Sequence, residues 1–222
     1  MSLPGDVQGA ISSVPGFDCD TALSADRARQ FFAQGYKFCL RYLSRRHASA
    51  QDLTEVEATG ILSSGLALMP VQHARKHGWS PNQVLGQQDG QEASASAKTV
   101  GFPDRVSLWC DLEGVNSSAE AQNVIDYCEA WYEAVIAAGY IPGLYVGAGA
   151  LLTGQQLYDL PFQHYWRSRS QVPDIPNRGY QVIQLAPSIQ INGVWIDLDV
   201  AQTDQKGGAA QWLRVNTAIL GE

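Results

Sequence analysis

Positive charge is scarce in this chain: 15 lysines and arginines stand against 22 aspartates and glutamates, a formal net charge of -7. The basic residues are scattered, so no electrostatic footprint for nucleic acid or anionic lipid is present, and neither is expected as a partner. Long apolar runs are missing too. No stretch approaches the roughly 20 residues that a membrane helix needs, and Met1 to Ala10 holds no basic segment followed by an apolar one. Neither a membrane anchor nor a signal peptide is expected from these residues.

Metal-type cysteine spacing is absent. Cys19, Cys39, Cys110 and Cys128 are far apart, and three of the four fall in apolar strand patterns, which marks them as buried reduced thiols. No histidine motif supplies a partner for a cysteine nucleophile. His73 and His77 are four apart, a ligand spacing only on a helix, yet His73 ends a strand pattern. No internal repeat or low-complexity tract divides the chain, and no cofactor or metal is called for.

What is present is an ordinary globular composition, 45% apolar and 17% charged over 222 residues, which suits one domain over residues 1–222. Short apolar runs alternate with longer amphipathic segments, the mark of βα units. The strand candidates are Gly16 to Asp20, Tyr36 to Leu43, Leu66 to His73, Ser107 to Glu113, Ile141 to Gly147, Gln163 to Ser168, Tyr180 to Ala186 and Val194 to Val200. Eight such strands predict an α/β fold, a TIM-like (β/α)8 barrel.

Helix starts are written between them. Thr54 with Glu57, Ser117 with Glu120 and Thr153 with Gln156 fit the capping box, and Ser80-Pro81-Asn82-Gln83 places proline at a first helical position. A long helix carries Ala121, Val124, Cys128, Trp131, Val135 and Ala138 on one face and ends at Gly139. The pattern weakens later. Pro173 and Pro176 leave little room for a helix between Arg167 and Gly179, and Pro187 to Gly193 is too short for a crossover, so the last two strands fit a hairpin as well as a parallel pair. The barrel is expected to be irregular on that side.

Side-chain alternation locates the chemistry. Along Ser107 to Glu113, Leu108, Cys110 and Leu112 share one face while Ser107, Trp109, Asp111 and Glu113 share the other. The second face then looks into the barrel and ends in two acids at the C-terminal rim, where barrel active sites lie. Gly16-Phe17-Asp18-Cys19-Asp20 and Val194-Trp195-Ile196-Asp197-Leu198-Asp199-Val200 repeat the pattern. Acids crowded on one rim raise one another's pKa values, so a protonated acid can stand beside an ionised one. Glycosidic hydrolysis needs such a pair. Trp109, Trp166, Trp195, Tyr145 and Tyr42 fall near strand ends, where flat rings can stack on sugar faces. The rival reading of the acids is an oxygen-rich calcium or magnesium site, although no calcium-loop pattern is present.

Gly16-Phe17-Asp18, Arg41-Tyr42-Leu43, Asp111-Leu112-Glu113, Gln184 and Ile196-Asp197-Leu198-Asp199, in this order and spacing, resemble the Rv2525c-like glycoside-hydrolase-like domain of bacterial proteins (DUF1906), a relative of the glycoside hydrolase family 25 lysozymes. The resemblance implies a TIM-like barrel and, through the lysozymes, cleavage of the β-1,4 bond between N-acetylmuramic acid and N-acetylglucosamine in peptidoglycan. It implies Glu113 as general acid, Asp111 as the residue that orients the substrate acetamido group or stabilises charge, and Asp18 and Asp197 as the rest of the acidic rim. Asp199, Asp20, Arg41, Tyr42, Trp109, Tyr145, Trp166, Gln184 and Trp195 are the candidate substrate contacts. Leu185 stands where the lysozymes have an aromatic residue, and Cys19-Asp20 also departs from their pattern.

The expected partner is therefore a bacterial cell-wall polysaccharide, with a catalytically inactive carbohydrate-binding or scaffold domain as the alternative. Residues two apart on a strand are separated by about 6.6 Å of rise, near the lower end of the inverting range; the substrate acetamido group is a further candidate nucleophile, and the sequence selects none of these routes. Reduced cysteines fit the cytoplasm and a cell-wall substrate fits export.

Overall fold

A computed structural model of the chain describes residues 2–44 and 49–216. In chain order the elements are β1 (Asp6–Gly9), β2 (Val14–Cys19), α1 (Ala25–Ala33), β3 (Phe38–Leu43), α2 (Glu55–Ser63), β4 (Ala67–Gln72), α3 (Gln83–Val100) and β5 (Ser107–Leu112). There follow α4 (Ala121–Ala137), β6 (Ile141–Val146), α5 (Gly154–Asp159), β7 (His164–Arg167), β8 (Val182–Ile191), β9 (Val194–Ala201) and β10 (Gln211–Arg214).

Strands β4-β3-β2-β9-β8-β7-β6-β5 form a continuous sheet, and pairing of Val71 with Trp109 and Gln72 with Cys110 joins β5 back to β4. The result is a closed eight-stranded barrel made of the strands expected from the alternation. Seven of its strands run parallel around the wall; β9 is antiparallel to both β8 and β2. The hairpin reading of the last two strands is thus the correct one. Its turn is tighter than expected, because β8 runs on through a bulge between Leu185 and Ile189 and turns only at Asn192–Gly193, with φ of 52° and 73°. Positive φ at both turn residues matches the twist of a two-residue hairpin, and the bulge is where Pro187 is tolerated inside a strand.

Two short strands had no signal in the sequence. β1 pairs with β10, which touches β4 through Leu213 and Leu68. They cover the end of the barrel opposite the acids, where Trp212 packs on Phe38 with ring centroids 5.6 Å apart.

The strand alternation divides the core into two shells. Leu108, Cys110, Leu112, Phe17 and Leu144 face outward against the helices, while Phe38, Leu40, Met69, Trp109, Trp166 and Trp212 fill the interior. The interior is solid below the rim because Gly143 leaves space for the Trp109 ring, which would lie 2.5 Å from an added Cβ. Helix α4 buries Val124, Tyr127, Cys128, Trp131 and Val135 and gives way to Gly139 at φ 95°.

Three helix starts differ from expectation. Thr54 caps α2, but Glu57 does not complete the box: its carboxylate accepts from Leu23 N–H and from Arg41. Ser117 caps nothing in α4, whose N-cap is Glu120 without a side-chain bond; Asn116 Oδ1 instead takes the Ser118 N–H. Pro81 precedes α3 rather than opening it, since Asn82 is the N-cap. Thr153 and Gln156 form the full reciprocal box. As expected, no helix occupies the described residues between β7 and β8.

Candidate active site

Because β2, β3, β4 and β5 are parallel, their last inward-facing side chains arrive at one rim. Asp18, Tyr42, His73, Asp111 and Glu113 surround a cavity of about 370 Å³, which Asp20, Ser188, Trp195 and Asp197 also line. The four expected catalytic carboxylates, Glu113, Asp111, Asp18 and Asp197, thus share one cavity.

The reversed direction of β9 inverts the order of its acids. Asp197 pairs with Asp18 at the rim, whereas Asp199 pairs with Gly16 one pleat deeper. Asp199 is 1% exposed and does not line this cavity. Its Oδ1 accepts from Trp166 Nε1 at 2.9 Å. Burial, and then the Asp18 charge, hold its carboxyl well above the usual range, while the Trp166 bond pulls it down.

Gln184 ties the rim together. Its Nε2 donates to Asp18 Oδ2 at 2.8 Å and to Asp197 Oδ2 at 3.3 Å, and its Oε1 accepts from Tyr145 Oη at 3.1 Å. Tyr42 Oη donates to Asp18 Oδ1 at 3.5 Å. Burial pushes Asp18 up to about 7; the Gln184 bond lowers it and the Asp197 charge raises it. Asp197 also accepts from Ser188 Oγ and from Arg169, whose Nη1 is 3.3 Å away.

Asp111 and Glu113 differ in depth. Asp111 is buried, its Oδ1 has no hydrogen-bond partner, and burial followed by the Glu113 and Asp18 charges lifts its carboxyl well above the carboxylate range. Glu113 is partly open to the cavity, raised by burial and by Asp197 and lowered by His77. Gly147 makes its place: an added Cβ there would lie 2.5 Å from Glu113 Cβ. Trp79 Nε1 donates to the Glu113 carbonyl at 2.8 Å and holds the strand end.

Of the expected substrate contacts, Asp20, Tyr42 and Trp195 line the cavity. Trp195 is 60% exposed, a free ring face at the mouth. The others do not reach it. Arg41 sits on the outer face of β3, fully buried, with Nε 2.7 Å from Glu57 Oε1 and contacts to the Cys19 and Gln51 carbonyls. Its position is odd-numbered on a strand whose even positions point inward, which the motif alone did not reveal. Trp109 and Trp166 are fully buried below the acids and pack edge to face, centroids 6.0 Å apart. Tyr145 and Gln184 support the acids from beneath and do not line the cavity.

His73 and Ser188 are site residues that the sequence reading left out. His73 follows Met69 and Val71 on the inward face of β4, so parity alone places it at the rim; it stacks on Tyr42 at 4.7 Å and its Nε2 is 3.2 Å from Asp52 Oδ1. Ser188 reaches the rim only through the β8 bulge. Among the described residues no group of three or more histidines, cysteines and acids is arranged to hold a metal ion.

This architecture has relatives. Residues 29–212 match the family model for the Rv2525c-like glycoside hydrolase-like domain. The chain belongs to this family. The matched range contains Asp111, Glu113 and Asp197 and begins after Asp18. Similar solved structures include the Tat-secreted Rv2525c of Mycobacterium tuberculosis in complex with L-tartrate, 16% identical with a TM-score of 0.65 over 86% of this chain and 96% of that one. A bacterial lysozyme from Streptomyces coelicolor is 13% identical, TM-score 0.58, over 86% and 93%. A family 25 glycosyl hydrolase from Bacillus anthracis is 14% identical, TM-score 0.56, over 93% and 96%. At these identities the likeness is one of fold. A search of curated proteins finds no match.

Proposed function

We propose that this glycoside hydrolase-like domain is a glycosidase that cleaves peptidoglycan or a related N-acetylated polysaccharide, with Glu113 as general acid. The observation that carries the reading is the meeting of Asp18, Asp111, Glu113 and Asp197 in one cavity. The lysozyme structures of the same fold support it.

Glu113 combines access to the cavity with a pKa raised by burial and by the Asp197 charge, the direction that suits a proton donor to the leaving glycosidic oxygen. Asp111, which lines the cavity beside Glu113, orients the acetamido group of the sugar. Asp18 and Asp197 face the developing positive charge at the anomeric carbon. Trp195 offers an apolar ring to the sugar face at the mouth. About 370 Å³ is within the usual range for ligand clefts.

The test is release of reducing ends from bacterial cell walls and from chito-oligosaccharides by purified protein, with Glu113→Gln as control. The reading expects release by the wild type and a loss of about 100-fold or more in the variant. Equal activity in Glu113→Gln would remove Glu113 from the mechanism. Saturable glycan binding without any product would make the domain a non-hydrolytic carbohydrate binder.

A further inference from the structure

Arg169 brings the opposite charge to the carboxylate rim. Among the described residues it is the guanidinium in ion-pair contact with a carboxylate lining the cavity, through Nη1 and Asp197 Oδ1. The same Nη1 donates to Ser188 Oγ at 2.6 Å, and the Arg169 backbone N–H donates to Gln184 Oε1 at 3.2 Å. The residue is therefore fixed to the β8–β9 wall at both its backbone and its side chain. Nε and Nη2 make no hydrogen bond among the described residues, and the side chain is 41% exposed.

Asp197 and Ser188 engage Nη1 alone, so the other edge of the guanidinium is left for an anionic group. Five carboxylates line the cavity, Asp18, Asp20, Asp111, Glu113 and Asp197, and they repel an anionic ligand unless a cation is placed to receive it. The unused Nε and Nη2 form the edge of the fork that grips a carboxylate with two parallel bonds. Trp195, exposed on the same hairpin that carries Ser188 and Asp197, offers a face for the ring that bears the carboxylate.

We propose that Arg169 is a specificity-determining residue that takes a free carboxylate borne by the sugar itself, so that the preferred ligand is an acidic N-acetylated saccharide rather than a neutral one. This rests on the glycosidase reading and narrows its substrate. In a cell-wall glycan the lactyl carboxylate is free only where the peptide has been removed, so an amide-hydrolysing reaction would have to supply this substrate.

Calorimetric titration tests it. The ligands are the N-acetylglucosamine–N-acetylmuramic acid disaccharide with a free lactyl carboxylate, its methyl amide, its peptide-bearing form, and di-N-acetylchitobiose. Each is titrated into wild type, Arg169→Gln and Arg169→Lys, with circular dichroism confirming that the variants are folded. The wild type should prefer the free acid over the amide by about tenfold, as expected for one charge-assisted contact. The ratio should fall to about one in Arg169→Gln and to an intermediate value in Arg169→Lys, which keeps the charge but loses the fork. An unchanged ratio in Arg169→Gln, or no preference in the wild type, overturns the proposal while leaving the glycosidase reading intact. Tightest binding by the peptide-bearing form overturns a sugar-borne carboxylate as the ligand. Absence of binding by all four saccharides overturns the glycosidase reading and this proposal together.

Discussion

Asp18 and Asp197 are register partners on antiparallel strands, and a single amide nitrogen, Gln184 Nε2, donates to both of them. The orientation of that amide is set by its other end, where Oε1 accepts from Tyr145 Oη and from the Arg169 N–H. Two acids that would repel each other are thereby held side by side by a neutral donor. The Gln184 bond also opposes the burial that raises Asp18.

Removing the bridge should move the titration. In Gln184→Leu, Asp18 loses the bond that lowers its pKa and should titrate above the value of about 7 set in the intact site. The pH profile of kcat/KM should shift its acidic limb upward and the maximum should drop, by about 10-fold or more if the acids separate. An unmoved limb would mean that the amide does not tune Asp18.

Stability against pH should separate two buried groups with opposite signs. Asp18 is raised from 3.8 to about 7, so the folded chain keeps a proton that the unfolded chain releases, and this contribution to stability falls as pH rises from about 4 to 7. His164, buried beside Ser107 Oγ at 3.1 Å, is lowered from 6.5 to about 4. Its contribution is present above 6.5 and is lost as pH falls toward 4. The two slopes oppose each other between these limits. Relative to wild type, the melting temperature of Asp18→Asn should therefore rise more steeply with pH, ending higher at pH 7.5 by at least about 2–4 °C for each ~1 kcal/mol relieved. That of His164→Asn should rise less steeply or fall. Parallel curves for all three proteins would contradict both assignments.

Arg41 matters to the fold rather than to the ligand. With side-chain exposures of 0% and 7%, the Arg41–Glu57 pair is deeply buried, and Glu57→Ala would leave the guanidinium without its counter-charge at a cost of about 3–5 kcal/mol. Urea denaturation should show it. The double variant Arg41→Met with Glu57→Leu should recover much of the loss, since an apolar pair of similar volume often replaces a buried ion pair without penalty.

Trp195 should show the reverse behaviour. At 60% exposure it contributes little to packing, so Trp195→Ala should melt within about 1 °C of the wild type, as surface changes usually do. Its glycan dissociation constant should nevertheless rise by about tenfold, the order of one lost aromatic contact. Equal glycan affinity in the two proteins would remove Trp195 from the binding surface.

Much of this was legible in strand alternation. The barrel strands, the inward face of Ser107 to Glu113 and the meeting of its acids with Asp18 all follow from period two and from parallel direction. Direction is what the sequence does not print. Once β9 is reversed, the acid nearer its start reaches the rim and the acid nearer its end is buried, so Asp197 and Asp199 exchange the depths that a parallel strand would give them. Arg41 shows a second limit: a charged residue in a recognisable motif draws attention to the cavity, although its parity sends it to the helices. Ser188 and Arg169 belong to a bulge and to an irregular segment, and neither has a period from which a direction can be read.

The hairpin of β8 and β9 has one more consequence. A barrel built only from βα units assembles each side of its active site from separate loops, each followed by its own helix. Here the wall that carries Ser188, Trp195 and Asp197 is one uninterrupted piece of chain closed by Asn192–Gly193, and no helix has to move with it. It is a replaceable part: its tip can be lengthened, shortened or exchanged between relatives to reshape the cleft, while Asp18, Asp111 and Glu113 stay seated on strands that the exchange leaves untouched.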